Sequence, residues 1–236
     1  MAHASETKAQ QERAHREDRE RLLAMLGHEL KTPLATMRML LIDQAVPAET
    51  ARRITASVTE MAQMLDRTIQ SDQLEAGQLD LHVQSCRLFL LIESVCRELP
   101  GSERVVMDIV GGFDHWIRTD EHLLKVVIRN LLDNALKYSP SDSPVRLKLD
   151  SDDMVQGHWR MTVRNIVGRA GVPDPERVFQ KYYRNPKAGH RSGSGLGLYL
   201  ISGLVGALGG QLRYAHEQAQ VCFVLSMPIV KSGEQE

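Results

Sequence analysis

Residues 22–77 carry two apolar stripes at helical spacing and no closed core, and this constrains the fold more than any other feature. Leu23, Leu26, Leu30, Leu34, Met37 and Leu41 recur at steps of three or four, so at 100° per residue they fall within about 80° of one another on a helix. Pro47 disfavours helix in the residue before it, which ends this helix near Gln44. After a short loop, Ala45 to Glu49, the pattern resumes with Ile54, Val58, Met61, Leu65 and Ile69. Two such helices form an antiparallel hairpin, and pairing two hairpins into a four-helix bundle buries both stripes, so a homodimer is expected. Methionines at Met25, Met37, Met39, Met61 and Met64 suit adaptable packing.

On the first helix His28 lies roughly 160° from the centre of the stripe and faces solvent. Thr32 projects from the same face one turn later, and Glu29 stands between that face and the stripe. Met25 and Met39 share the His28 face and suit an apolar docking patch. Gly27 and Pro33 flank the histidine and soften the helix there. Upstream, residues 5–21 interleave five acidic and five basic side chains, the pattern of a solvated helix, so residues 1–21 read as a charged lead-in cut from something larger.

A length of 236 residues suits one large or two small domains. The net charge of −1 argues against a nucleic-acid binder driven by phosphate contacts. No apolar run approaches the roughly 18 residues of a membrane span, so no membrane contact is expected of this segment. Cys86, Cys96 and Cys222 lack metal-ligand spacing and read as reduced thiols in a cytoplasmic setting.

At Gly77 the period changes. Leu79, Leu81 and Val83 alternate as a strand, and a helix follows from Leu88 to Leu99. Strands are expected at Val105 to Val110 and Trp116-Ile117, then a strong helix from about Asp120 to Tyr138, stopped by Ser139-Pro140. Further strands fall at Val145 to Leu149 and Trp159 to Val163. Residues 166–194 are rich in Gly and Pro and read as a long loop or lid. A helix at Leu196 to Leu208 and strands at Gln211 to Tyr214 and Val221 to Met227 close the fold. The chain therefore reads as a helical hairpin domain at 22–77, an α+β sandwich at 78–230 and a tail at 231–236.

Four segments in this order carry a family resemblance. His28-Glu29-Leu30-Lys31-Thr32-Pro33-Leu34 is similar to the H box of bacterial two-component sensor histidine kinases. Arg129 to Ser139, containing Asn130, Asn134, Lys137 and Tyr138, is similar to their N box. Val178-Phe179-Gln180-Lys181-Tyr182-Tyr183-Arg184 resembles the F box, and Gly193-Ser194-Gly195-Leu196-Gly197-Leu198 the second glycine-rich box. The resemblance covers about residues 20–228. It implies a dimerisation and histidine-phosphotransfer hairpin followed by an α/β-sandwich ATPase domain of the histidine kinase, gyrase and chaperone type.

The implied roles agree with the chemistry of the residues. Asn130, Asn134, Lys137 and Tyr138 share one side of a helix. By resemblance Asn134 binds the Mg²⁺ that bridges the phosphates of ATP; a hard cation suits an amide oxygen with waters and phosphates. Lys137 would neutralise phosphate charge, and Tyr138 would pack near the nucleotide. Gly193, Gly195 and Gly197 let backbone approach phosphate, with Leu196 and Leu198 beside them opening a helix N-terminus that favours anions. Arg184 would reach the γ-phosphate or anchor the lid. The resemblance further implies that His28 is phosphorylated, with Glu29 handling its proton, and that the phosphoryl group passes to an aspartate on a response-regulator receiver. Thr32 would position a water for a reverse, phosphatase reaction.

The first glycine-rich box departs from the family. Its usual Asp-X-Gly-X-Gly is replaced by Asn165-Ile166-Val167-Gly168-Arg169-Ala170-Gly171, with Asn165 where the adenine-binding aspartate belongs and Gly171 closing a longer turn. An amide oxygen still accepts from an adenine amine, without the strength that a carboxylate's charge adds. The reading is a working, weaker ATP site, and the alternative is a scaffold that is non-catalytic or phosphatase-dominant.

Overall fold

The computed structural model describes residues 34, 35, 37, 47–111, 116–150, 157–188 and 195–229. The chain divides into two compact units, Met1–Leu79 and Asp80–Glu236.

In the first unit Leu34, Ala35 and Met37 are helical, and helix α1 spans Ala48–Ala76. Gly77 ends α1 in the left-handed conformation at φ 67°. Its amide donates to the Leu74 carbonyl at 3.1 Å, and the Gln78 amide to that of Gln73 at 3.0 Å, a pairing that satisfies the last helical carbonyls. Along the expected stripe Val58 is buried, whereas Ile54 and Met61 stay exposed in the single chain. Met37 is also exposed, although the wheel places it on the first stripe. The charged lead-in, the end of the first helix and the tail lie outside the described residues.

The second unit begins with a correction. Strand β1 is Val83–Arg87, not the Leu79–Val83 alternation. Its register is set by antiparallel pairing with β3 (Trp116–Asp120), in which Val83 faces Asp120 and Arg87 faces Trp116. The Asp120 carboxylate takes the His82 amide at 2.9 Å and fixes the start of the pair. Helix α2 (Leu88–Glu98) follows, burying Leu88, Leu91, Ile92 and Val95.

Five strands form the main sheet: β2 (Val105–Val110), β4 (Val145–Asp150), β5 (His158–Ile166), β6 (Gln211–Glu217) and β7 (Gln220–Pro228). Their order is β2-β4-β5-β7-β6, with β2 and β4 parallel and the other pairs antiparallel. Trp159, Met161, Val163 and Asn165 alternate onto the buried face of β5, as the two-residue period of a strand requires.

Helix α3 (Glu121–Tyr138) supplies most of the opposing core, with Leu124, Val127, Ile128, Leu131 and Leu132 fully buried. Asp120 caps it by accepting from the Leu123 amide at 3.0 Å. Helix α4 (Gly197–Ala207) packs on α3 and β6, burying Leu200, Ile201, Leu204 and Val205. Burial on this scale is the dominant favourable term in folding. Strands β5, β6 and β7 run longer than their apolar alternation indicates, because antiparallel ladders continue through the polar residues at their ends.

Candidate nucleotide-binding site

The polar face of α3 rises directly from this core. Asn130 is buried, and its Nδ2 donates to the Val126 carbonyl at 2.8 Å. That bond turns the Asn130 Oδ1 toward α4: a Cβ added at Gly197 would stand 3.4 Å from it. Asn134, Lys137 and Tyr138 follow along the same side, each half-buried, with the Lys137 ammonium 5.7 Å from the centre of the Tyr138 ring. The structure thus sets Asn130 against the start of α4, with Asn134, Lys137 and Tyr138 further along the same side of α3.

The C-terminal end of α3 meets the turn after β5. The Gly168 amide donates to the Tyr138 carbonyl at 3.1 Å. A Cβ at residue 168 would lie 2.3 Å from that oxygen, so only glycine fits. Asn165, one residue before the end of β5, is buried, and its Nδ2 donates to the Ile166 carbonyl at 2.9 Å. Gly171 closes the turn at φ 70°, its amide bonded to the Gly168 carbonyl at 3.0 Å. It faces Lys187 and Asn185, the latter bonded to the Val172 carbonyl at 2.8 Å. Gly168 is therefore the residue that sequence reasoning missed here. A glycine spacing signals a turn, whereas the close approach that requires this glycine comes from a helix thirty residues away (168 − 138 = 30).

An open cleft of about 880 Å³ lies at this junction, walled by Arg104, Lys137, Ser139, Asp142, Gly168 and Arg169 among others. Three of these side chains are basic and one is acidic, a balance that favours an anionic ligand.

The segment that resembles the F box is anchored from below. Val178 is buried, and Phe179 meets Phe223 edge-on at 6.3 Å, with Tyr214 5.3 Å beyond. The Tyr214 hydroxyl donates to the Pro173 carbonyl at 3.0 Å, and burial pushes its pKa up to about 12. Tyr183 Oη accepts from the Asp174 amide at 2.9 Å, beneath the Arg177 guanidinium. Tyr182 takes a left-handed backbone at φ 64°, and Gly195, at φ 73°, nests against it. A Cβ at residue 195 would stand 2.7 Å from the Tyr182 carbonyl carbon. Lys181 sits beside the rings of Tyr182 and Tyr199 at 5.5 and 5.8 Å.

Leu196 is buried at the entrance to α4, Leu198 is half-buried in its first turn, and Arg184 is exposed. His28, Glu29, Thr32 and Gly193 lie outside the described residues. Among the described residues no cluster of His, Cys, Asp or Glu is arranged to hold a metal, and no helix is long and apolar enough to cross a membrane. A divalent cation here would draw on the neutral oxygen of Asn134, a donor set that fits Mg²⁺ carrying phosphate and water ligands.

Comparison with known proteins agrees with this geometry. Residues 119–231 match the family described as histidine kinase-, DNA gyrase B- and HSP90-like ATPases. The chain is 28% identical over 222 residues to the swarming motility regulation sensor protein RssA of Serratia marcescens, covering 88% of this chain and 46% of that protein. It is 32% identical over 216 residues to the signal transduction histidine-protein kinase/phosphatase MprB of Mycobacterium sp. (strain KMS), covering 84% of this chain and 40% of that protein. The chain thus spans less than half the length of these relatives. Among solved structures, full-length ShkA in complex with AMPPNP superposes with a TM-score of 0.67 at 24% identity, covering 88% of this chain and 45% of ShkA. The match over residues 119–231 and the relatives named as sensor proteins and histidine kinases together support a bacterial two-component sensor kinase catalytic core.

Proposed function

We propose that the chain is an ATP-dependent protein-histidine kinase that phosphorylates itself on His28 and relays the phosphoryl group to an aspartate of a response-regulator receiver. The observation that carries the reading is the joining of the polar face of α3 to two glycine turns, through Asn130 with Gly197 and through Tyr138 with Gly168. The AMPPNP in the ShkA complex supports ATP as the nucleotide.

One imidazole nitrogen of neutral His28 attacks the γ-phosphorus in line and the bond to the bridging oxygen of ADP breaks, while Glu29 orients the ring or takes the proton from its other nitrogen. Lys137 offsets charge on the phosphates, Arg184 reaches the γ-phosphate or anchors the lid, and the glycines of Gly193–Leu198 let backbone approach the phosphates closely. Asn134 would hold a Mg²⁺ ion, which when bound would supply further neutralisation of phosphate charge. Asn165 accepts from the adenine amine, and Gly171 shapes the turn beside it. Thr32 positions water for dephosphorylation of the receiver.

The hairpin domain is assigned to residues 22–77 and the ATP-binding domain to 78–230, in a cytoplasmic segment with 1–21 as lead-in. Two hairpins pair as a four-helix bundle, a reading supported by the exposure of Ile54 and Met61 in the single chain. Incubation with labelled ATP and Mg²⁺ tests the proposal. Acid-labile, alkali-stable label that vanishes in His28→Gln is the expected result. Measured ATP binding with no label would favour the second reading, a non-catalytic or phosphatase-dominant scaffold, for which Asn165 in place of the family's adenine-binding aspartate is the specific observation.

A further inference from the structure

Arg104 belongs to none of the four motif segments. It ends a short 3₁₀ turn, Ser102–Arg104, that begins at the left-handed Gly101. From there it reaches the loop behind α3. Its Nε donates to the Ser143 carbonyl at 3.0 Å and its Nη1 to the Leu136 carbonyl at 3.2 Å. Its Nη2 donates to Ser139 Oγ, to the Pro140 carbonyl at 2.6 Å and to the Ser143 carbonyl at 2.9 Å.

The last carbonyls of a helix have no partner within it, and a cation there is favoured by the helix dipole. In α3 the Ala135 carbonyl accepts from the Ser139 amide at 3.2 Å, the Leu136 carbonyl from Arg104, and the Tyr138 carbonyl from Gly168. Lys137 therefore sits between two carbonyls that are both held from outside the helix. One clamp comes from before β2 and the other from after β5. The guanidinium also lines the cleft and keeps its charge, while its donors go to carbonyl and hydroxyl oxygens that only a planar fork can span. A lysine at this position offers one compact ammonium and cannot span these acceptors.

We propose that Arg104 is a positioning residue for nucleotide binding: its fork holds the last turn of α3 and residues 139–143 so that Lys137 and Asn134 present to the same phosphates. The proposal rests on the reading of α3 as the nucleotide-binding helix.

Calorimetric titration of the whole 236-residue chain with ATP and Mg²⁺ tests it, together with the rate of His28 labelling at saturating ATP. Arg104→Met and Arg104→Lys are both expected to raise Kd roughly tenfold, equivalent to about 1.4 kcal/mol, with the saturated rate less affected. Ser139→Ala removes one acceptor of the fork and is expected to raise Kd by a smaller factor. Leu225→Val, a core change in β7, calibrates loss of melting temperature without loss of affinity. Wild-type affinity in Arg104→Lys overturns the proposal, since charge alone then suffices. A lowered melting temperature with unchanged Kd in Arg104→Met also overturns it. Should Arg104→Met not fold, Arg104→Lys and Ser139→Ala decide the matter. Failure of the unaltered chain to bind ATP removes the nucleotide reading and this proposal together, whereas binding that no variant weakens removes the proposal alone.

Discussion

The amide of Gly168 donates to the carbonyl oxygen of Tyr138 at 3.1 Å, with no room for a side chain between the two segments. The turn after β5 and the end of α3 are therefore joined backbone to backbone. Gly168→Ala must part them or displace the turn. Overpacking of this kind costs about 1–3 kcal/mol, and affinity for ATP is expected to fall with it. Urea denaturation and nucleotide titration of the variant check both effects.

Asn165→Asp restores the family's residue, yet the structure predicts a cost. The Asn165 amide donates to the Ile166 carbonyl at 2.9 Å, and an ionised carboxylate has no proton to offer there. The variant is expected to lose about 1–3 kcal/mol of stability, the cost of an unsatisfied buried group. A thermal melt equal to that of the wild type would contradict this.

Asp120 serves two amides, those of Leu123 at 3.0 Å and His82 at 2.9 Å. Asp120→Ala removes the cap of α3 and the tie to β1 at once. The expected loss is about 2 kcal/mol, the upper part of the range for a helix cap. Denaturant midpoints of Asp120→Ala and Asp120→Asn should differ, because the amide oxygen keeps the capping bond.

The turn between β6 and β7 places Gln218 and Ala219 at φ 45° and 66°. These are the positions of a two-residue hairpin turn that favours Asn-Gly. Ala219→Gly is expected to stabilise the chain by about 1 kcal/mol, the relief of a left-handed residue. Its carbonyl, which accepts from the Val167 amide at 2.8 Å, is retained. A fall in melting temperature would refute the expectation.

Burial raises the Tyr214 hydroxyl from 10.0 to about 12 and the Cys86 thiol from 9.0 to about 11. In each case the folded protein holds the proton more tightly than the unfolded chain. Their contribution is complete below the unfolded values and is lost as pH rises through the folded ones. Stability should decline from about pH 9 to about pH 12 across these two windows. In Tyr214→Phe the decline above pH 10 should be shallower. Alkylation of Cys86 should be slow at pH 8 until the protein is unfolded.

Much of this architecture was legible from local pattern. Asp120 before an apolar run and Gly77 after one mark helix ends by their own chemistry, and both ends fall where the residues indicate. Alternation reports which face of a strand is buried but not which strand lies beside it. The parallel pairing of β2 with β4 and the start of β1 at Val83 therefore emerge only in three dimensions. The same limit hides the site's supports. Asn130, Asn134, Lys137 and Tyr138 announce themselves by spacing on one helix. Arg104 and Gly168 act on that helix from remote parts of the chain, and neither carries a local signal.

The sheet order has a consequence for assembly. Strands β6 and β7 meet across a two-residue turn, whereas Val105 of β2 finds its partner Val145 forty residues further on (145 − 105 = 40). Short closures form before distant ones, so β2 is expected to dock after the β6–β7 hairpin has formed. Until it does, β4 is an open border of the growing sheet, ready to accept any strand that offers itself. Arg146, Lys148 and Asp150, spaced along the opposite face from Val145, Leu147 and Leu149, make that border inhospitable to a neighbouring chain while it waits for its own.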